Sequence, residues 1–280
     1  VTALSTTPDS AAPLNGSGIW PASDLRSVAD RRDGRIEAIR RKLISLFTAL
    51  GLKLLPIFDS DCTDHMRPAA TTKHLGYYTS DMRRLAADDI RRVYGETDAD
   101  TGFVFVNLEK SYGLVADIAS EAAREAAFAF EVLATALHEA VHYAENPPTN
   151  CTGNSSDFDK LWHAAVTNNA LKPLPTVRPW GQHGVSFIRG CVHITHRAAM
   201  LGERIAFVGI FNNFKYGLPS SPAEYAHALG DEPERLADLP LIDVLKTEPP
   251  KALTDVFARD VRDMELVLSG HPDAEKGVTR

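Results

Sequence analysis

Two histidines four residues apart, His138 and His142, with Glu139 directly after the first, stand in the stretch VLATALHEAVHYAEN, residues 132–146. Residues four apart share one face of an α-helix, with Cβ atoms about 6 Å apart. Two imidazoles so placed can converge on one cation at about 2.0 Å, the zinc–nitrogen distance. The residue after the first histidine is turned by about 100° around the axis. Its carboxylate reaches beside the cation, where a water would sit and would need a base. One helical turn thus offers two ligands and one general base, a set suited to metal-assisted hydrolysis. The competing reading is an amphipathic helix whose histidines have other duties.

A catalytic zinc takes three protein ligands and keeps one position open. The preferred third ligand is His183 in GQHGVSF. It stands in an expected loop before a helix, between Gly181 and Gly184, and glycines permit close backbone approach. Glu203, expected on a later helix, Asp159 and His193 compete for the role, and Glu145 lies one turn beyond His142. A fourth protein ligand from Glu203, Asp159 or His196 would close the site and turn the ion into a structural staple. His193, Tyr216 and Tyr78 are candidate donors to a developing oxyanion.

These side chains need a scaffold. Residues 1–22, rich in Ser, Thr, Pro, Ala and Gly, read as a flexible arm. Helical spacing runs from Ser23 to Leu50, and Gly51 stops it as a C′ glycine. LKLLPIF (52–58) is a short strand that Pro56 confines to an edge or a strand end. LGYYTS (75–80) opens a second strand or a turn, and DMRRLAADDIRRVYG is a helix or an extended polar segment. TGFVFVNL (101–108), β-branched and aromatic, is the best strand and a sheet edge that an extended peptide could pair with. An Ala-rich helix follows over roughly 117–145, ended by Asn146-Pro147-Pro148 and anchored by Val132, Leu133, Leu137 and Val141. Residues 147–182 form a polar connection with a short helix candidate, SDFDKLWHAAVTN. A helix begins near Ser186, and PAEYAHALG and KALTDVFARDVRDMELVLSG are helical pieces further on. The order of elements reads as α+β.

Of the 280 residues, 44% are hydrophobic and 24% charged, the balance of a soluble globular chain that can bury a core without covalent staples. The net charge of −7 argues against a nucleic-acid partner, and the basic run from Arg31 to Lys42 reads as a solvated helix face. Three widely spaced cysteines make no disulfide framework. With no signal-peptide pattern and no long apolar run, the expectation is a cytoplasmic protein with no membrane partner. Oligomeric state is not legible.

Gly-x-x-Phe-Val-Phe-Val-Asn, then LHEAVHY on a helix, then HGVSF opening a further helix resemble the SprT-like zinc metallopeptidases over roughly residues 35–205. ALGLKLLPIF and HLGYYTS sit where that family's opening helix, first strand and Leu-Gly segment fall. The resemblance is clan-level. It implies a zincin-like core with a small sheet and an HExxH active helix, assigned to 23–210, with an insertion at 147–180; residues 211–280 match nothing in it and read from their own helical pieces as a C-terminal extension. It also implies Zn2+ held by His138, His142 and His183, Glu139 as catalytic base, and a protein or peptide substrate. The family's C-terminal zinc ribbon and basic tail have no counterpart here, so DNA–protein crosslink repair does not follow. The alternative is a non-catalytic, zinc-stabilised binding or regulatory protein that keeps a zincin fold.

Overall fold

The computed structural model describes residues 22–62, 76–78, 87–145, 183–211 and 220–268. The chain divides into two compact units, Val1–Ala38 and Ile39–Arg280. The described part of the first is the opening of helix α1 (Ala22–Ala49). The second holds every other described element, mostly helices with one small sheet, an α+β arrangement as expected.

Helix α1 stops at the expected place. Gly51 takes φ +72. Its N–H donates to the Thr48 carbonyl at 3.0 Å and that of Leu52 to the Phe47 carbonyl at 2.8 Å, the paired bonds of a Schellman end. The chain then enters β1 (Leu54–Phe58). With β2 (Gly76–Tyr78) and β3 (Gly102–Val106) it forms a three-stranded sheet in the order β1–β3–β2. β1 runs parallel to β3, from Leu54 opposite Gly102 to Phe58 opposite Val106. β2 runs antiparallel, with Gly76 opposite Val106 and Tyr78 opposite Val104. Pro56 thus lies on an outer strand, where a residue without an N–H is tolerated.

β3 corrects one expectation. The best strand in the sequence is the middle strand, buried along its whole length, so its two edges already pair with β1 and β2. Over Val104–Val106, where β2 pairs, both of its edges are filled. Its phenylalanines, Phe103 and Phe105, pack with Ile57, Cys62 and Ile90, the last from helix α2 (Ala87–Tyr94). Alternation sends Gly102, Val104 and Val106 to the opposite face.

Helix α3 (Leu108–Val115) was not expected. Asn107 caps it by accepting from the Lys110 N–H at 2.9 Å. The buried Asp59 carboxylate accepts from the N–H groups of Leu108 at 2.9 Å and Glu109 at 3.2 Å. Those bonds satisfy three first-turn donors, and an N-cap of this kind is worth about 1 kcal/mol. The long helix expected over roughly 117–145 is one element that starts about a turn later, α4 (Glu121–Glu145), after Ser120, whose hydroxyl accepts from the Ala123 N–H at 3.4 Å. Its 25 residues contain no Gly or Pro. Val132, Leu133, Leu137 and Val141 are buried as expected, each contributing about 1.5–3 kcal/mol of transfer free energy.

Helix α5 (Val185–Met200) crosses α4 closely. A Cβ on Gly190 would come within 2.5 Å of Val141 Cγ1, so only glycine permits this approach. Then follow α6 (Phe207–Phe211), α7 (Pro222–Leu229), α8 (Glu232–Arg235), α9 (Leu241–Lys246) and α10 (Lys251–Leu268). α7 and α10 match expected helical pieces, whereas α8 and α9 are additional. Arg189 of α5 fastens this C-terminal group. Its Nε donates to Glu232 at 2.7 Å and its Nη1 to the carbonyls of Val244 at 3.0 Å and Thr247 at 2.8 Å. None of the described helices is long and apolar enough to cross a membrane. The expected helix SDFDKLWHAAVTN, the 147–180 insertion and all of the 1–22 arm but Ala22 lie outside the described residues.

Candidate metal centre

The last turns of α4 carry His138, Glu139 and His142, held in place by the buried apolar residues on the opposite side of the helix. His183 comes from the residues just before α5, whose N-cap is Gly184. Among the described residues, His138, His142 and His183 form the one group whose ligand atoms all lie within 4.8 Å of one another. The glycine rationale for His183 needs correcting. A Cβ on Gly184 would meet nothing within 4 Å, so its part is to cap α5, not to allow close approach. Gly181 lies outside the described residues.

The ring orientations are set from outside the cluster. His138 Nδ1 is 2.7 Å from the Ile210 carbonyl of α6. A carbonyl only accepts, so Nδ1 carries the proton and Nε2 presents its lone pair inward. His142 Nδ1 faces the Glu145 carboxylate at 3.6 Å, which leaves its Nε2 directed away from that carboxylate. His183 Nε2 lies 3.2 Å from His138 Nε2. Two nitrogens bound tetrahedrally to zinc at about 2.0–2.1 Å stand about 3.3 Å apart, so the pair fits that ion's coordination sphere. Backbone carbonyls and carboxylates behind metal-binding imidazoles fix tautomer and orientation in this way.

Phe187 completes the frame. It is fully buried, one turn beyond His183. Its ring stacks on His142 at 4.5 Å and 30°, and meets His138 at 4.8 Å and His183 at 4.5 Å edge-on. One apolar side chain therefore backs all three imidazoles. Its signal was present in the His-Gly-x-x-Phe spacing, although a role for the phenylalanine was not read from it. The Ile210 carbonyl had no readable signal, because every residue carries one.

Glu139 is turned toward the sheet and is mostly buried. At Gly76 of β2, a Cβ would come within 2.5 Å of Thr135 Cγ2, 2.9 Å of Glu139 Cγ and 3.1 Å of Glu139 Oε1. The carboxylate is therefore pressed against the β2 backbone, at a place where only glycine fits. β2 is an outer strand of the sheet and lies at the site.

The rival ligands are elsewhere or outside the description. Glu203 lies past the end of α5, not on a helix, and pairs with Lys42 at 2.8 Å. His193 is buried against Glu232, its Nε2 2.9 Å from Oε1. That also removes it as an oxyanion donor. His196 belongs to no such cluster among the described residues. Asp159, Tyr216 and the Tyr78 side chain lie outside the described residues. Burial pushes the Cys62 thiol up to about 12 and that of Cys191 well above its ordinary value, so neither offers a thiolate.

The donor set is three imidazoles, with the buried Glu139 carboxylate on the same helix against β2. It can bind a divalent borderline-soft cation. No protein-family model, curated protein or solved structure matches this chain.

Proposed function

We propose that this protein is a zinc-dependent metallopeptidase of the zincin type, acting on a protein or peptide substrate. The observation that carries the reading is the convergence of His138, His142 and His183, with Glu139 next to His138 in sequence and buried against Gly76 of β2. Zinc is the natural occupant of a three-imidazole set, and once bound it supplies Lewis acidity that acidifies water and polarises a peptide carbonyl. Glu139 acts as general base, taking the water proton and later delivering it to the leaving amine. Its burial against β2 keeps the carboxylate aimed and limits competing solvent. The substrate strand pairs with β2, the outer strand beside Glu139, and not with β3. A closed structural site would need a fourth protein ligand, and the described residues place none in the cluster.

The test is metal content by mass spectrometry together with hydrolysis of a peptide library. Wild type should carry about one zinc per chain, and His183→Ala should lose most of it. Glu139→Gln should keep the zinc and lose about 100-fold or more in cleavage rate. Zinc retained in His183→Ala would overturn the ligand set. Equal cleavage by Glu139→Gln would overturn the mechanism.

A further inference from the structure

The face of α4 that carries His138 and His142 continues toward the N-terminus of the helix. Seven residues make two turns less about 20°, so Glu131 stands almost in line with His138, about 10 Å back along the axis. The flanks of that line are occupied. On one side Gly209 of α6 lies against Phe130 and Ala134. On the other side Gly76 of β2 lies against Thr135 and Glu139. Glu131 thus lies on the floor between α6 and β2, the same floor that holds the histidines.

Glu131 is half-buried and makes no hydrogen bond or ion pair with another described residue. Burial alone pushes its carboxyl up from the ordinary range. The next cation on that stripe, Arg124, directs Nη1 to the Ile118 carbonyl at 3.0 Å. One turn back from Glu131, Phe128 meets Tyr112 of α3 edge-on at 5.9 Å, and Tyr112 is 44% exposed. A carboxylate without a described cation stands next to a partly open aromatic wall. That pairing fits a long basic side chain, its stem on the rings and its head on the carboxylate.

We infer that Glu131 is a specificity residue of the cleft, selecting a lysine or arginine of the substrate about three residues from the scissile bond. The spacing follows from an extended strand rising about 3.3 Å per residue over about 10 Å. The inference rests on the peptidase reading, and its test separates the two.

Zinc-loaded wild type, Glu131→Gln, Glu131→Lys and the exposed control Glu121→Gln would be compared on a positional peptide library, with a thermal melt to verify folding. In wild type and in Glu121→Gln, kcat/KM should favour Lys or Arg over Ala at one position near the third from the cleaved bond. The preference should fall by about tenfold or more in Glu131→Gln, and Glu131→Lys should favour Asp or Glu there. An unchanged preference in folded Glu131→Gln would overturn the inference while leaving the peptidase reading intact. If no chain cleaves, the peptidase reading fails. Fluorescence anisotropy of a labelled Lys-rich peptide on the zinc-loaded proteins then decides for Glu131. Binding weaker by about tenfold in Glu131→Gln than in wild type supports it, and equal binding overturns it.

Discussion

At the scale of single residues, the imidazoles of the candidate centre are set by groups outside the cluster. Glu145 faces His142 Nδ1 at 3.6 Å, longer than a good hydrogen bond. Outer partners of metal-bound histidines typically matter by about 10–100-fold in affinity, so Glu145→Ala should weaken zinc binding by about tenfold, the low end. Competition with a chromogenic chelator measures this, and an unchanged affinity would make Glu145 a solvated helix end. The pair His138 and His142 was legible because an uninterrupted helix converts sequence spacing directly into a shared face. His183 was legible from its place before a helix, although the reason first given for its glycine was wrong. Phe187 and the Ile210 carbonyl were not legible. Their roles depend on where α5 and α6 cross α4, which no local spacing encodes.

At the scale of elements, β2 and α4 meet at Gly76 with no room to spare. In Gly76→Ala the new methyl would overlap Thr135 and Glu139, at 2.5 and 2.9 Å. Overpacking of this kind costs about 1–3 kcal/mol. The three nearest atoms belong to Thr135 and Glu139 and not to a histidine, so the variant should keep its zinc. Its hydrolysis should fall by about tenfold or more, since a misplaced catalytic group loses effective concentration. Steady-state kinetics on zinc-loaded protein provide the check, and full activity would show that β2 does not position Glu139. Strand β3 was readable from its apolar, β-branched run, but its central place was not. Strand order is set by long-range pairing, and a run buried on both faces gives no clue to which edges are filled. Helix α3 escaped detection because part of its cap comes from Asp59, about fifty residues upstream, and a short weakly periodic segment does not announce itself.

At the scale of the whole molecule, a buried ionic group fastens the C-terminal helices to α5, and it is sensitive to acid. Burial lowers the His193 pKa, and the hydrogen bond to Glu232 offsets this only in part. The folded imidazole therefore takes a proton less readily than a free one, and its Nδ1 finds no partner among the described residues. In the unfolded chain it takes a proton below about pH 6.5. The unfolded state then binds more protons, so stability falls as pH drops from about 6.5 toward the lowered folded value. Glu232 adds to the effect at lower pH. Burial would raise its pKa, but the bonds from Arg189 and His193 outweigh that and hold it below the ordinary range, so its contribution fades as pH passes through that value. The melting temperature should therefore fall as pH drops below about 6.5, and fall less in His193→Gln, which can still donate but cannot titrate. Equal slopes would remove His193 as the source. The C-terminal helices α7 and α10 were visible in the sequence through their periodicity, whereas the buried Arg189–Glu232–His193 group that docks them was not, being assembled from residues about forty apart. The same separation marks the candidate metal centre. His142 and His183 are about forty residues apart, and closing a loop of that length costs about 3 kcal/mol of chain entropy. Of these three imidazoles an unfolded chain keeps only His138 and His142 close together, so an ion held by all three is a cross-link made on folding. Tight metal retention would then serve as an assay of correct assembly, reading out the long-range closure that no single element achieves alone.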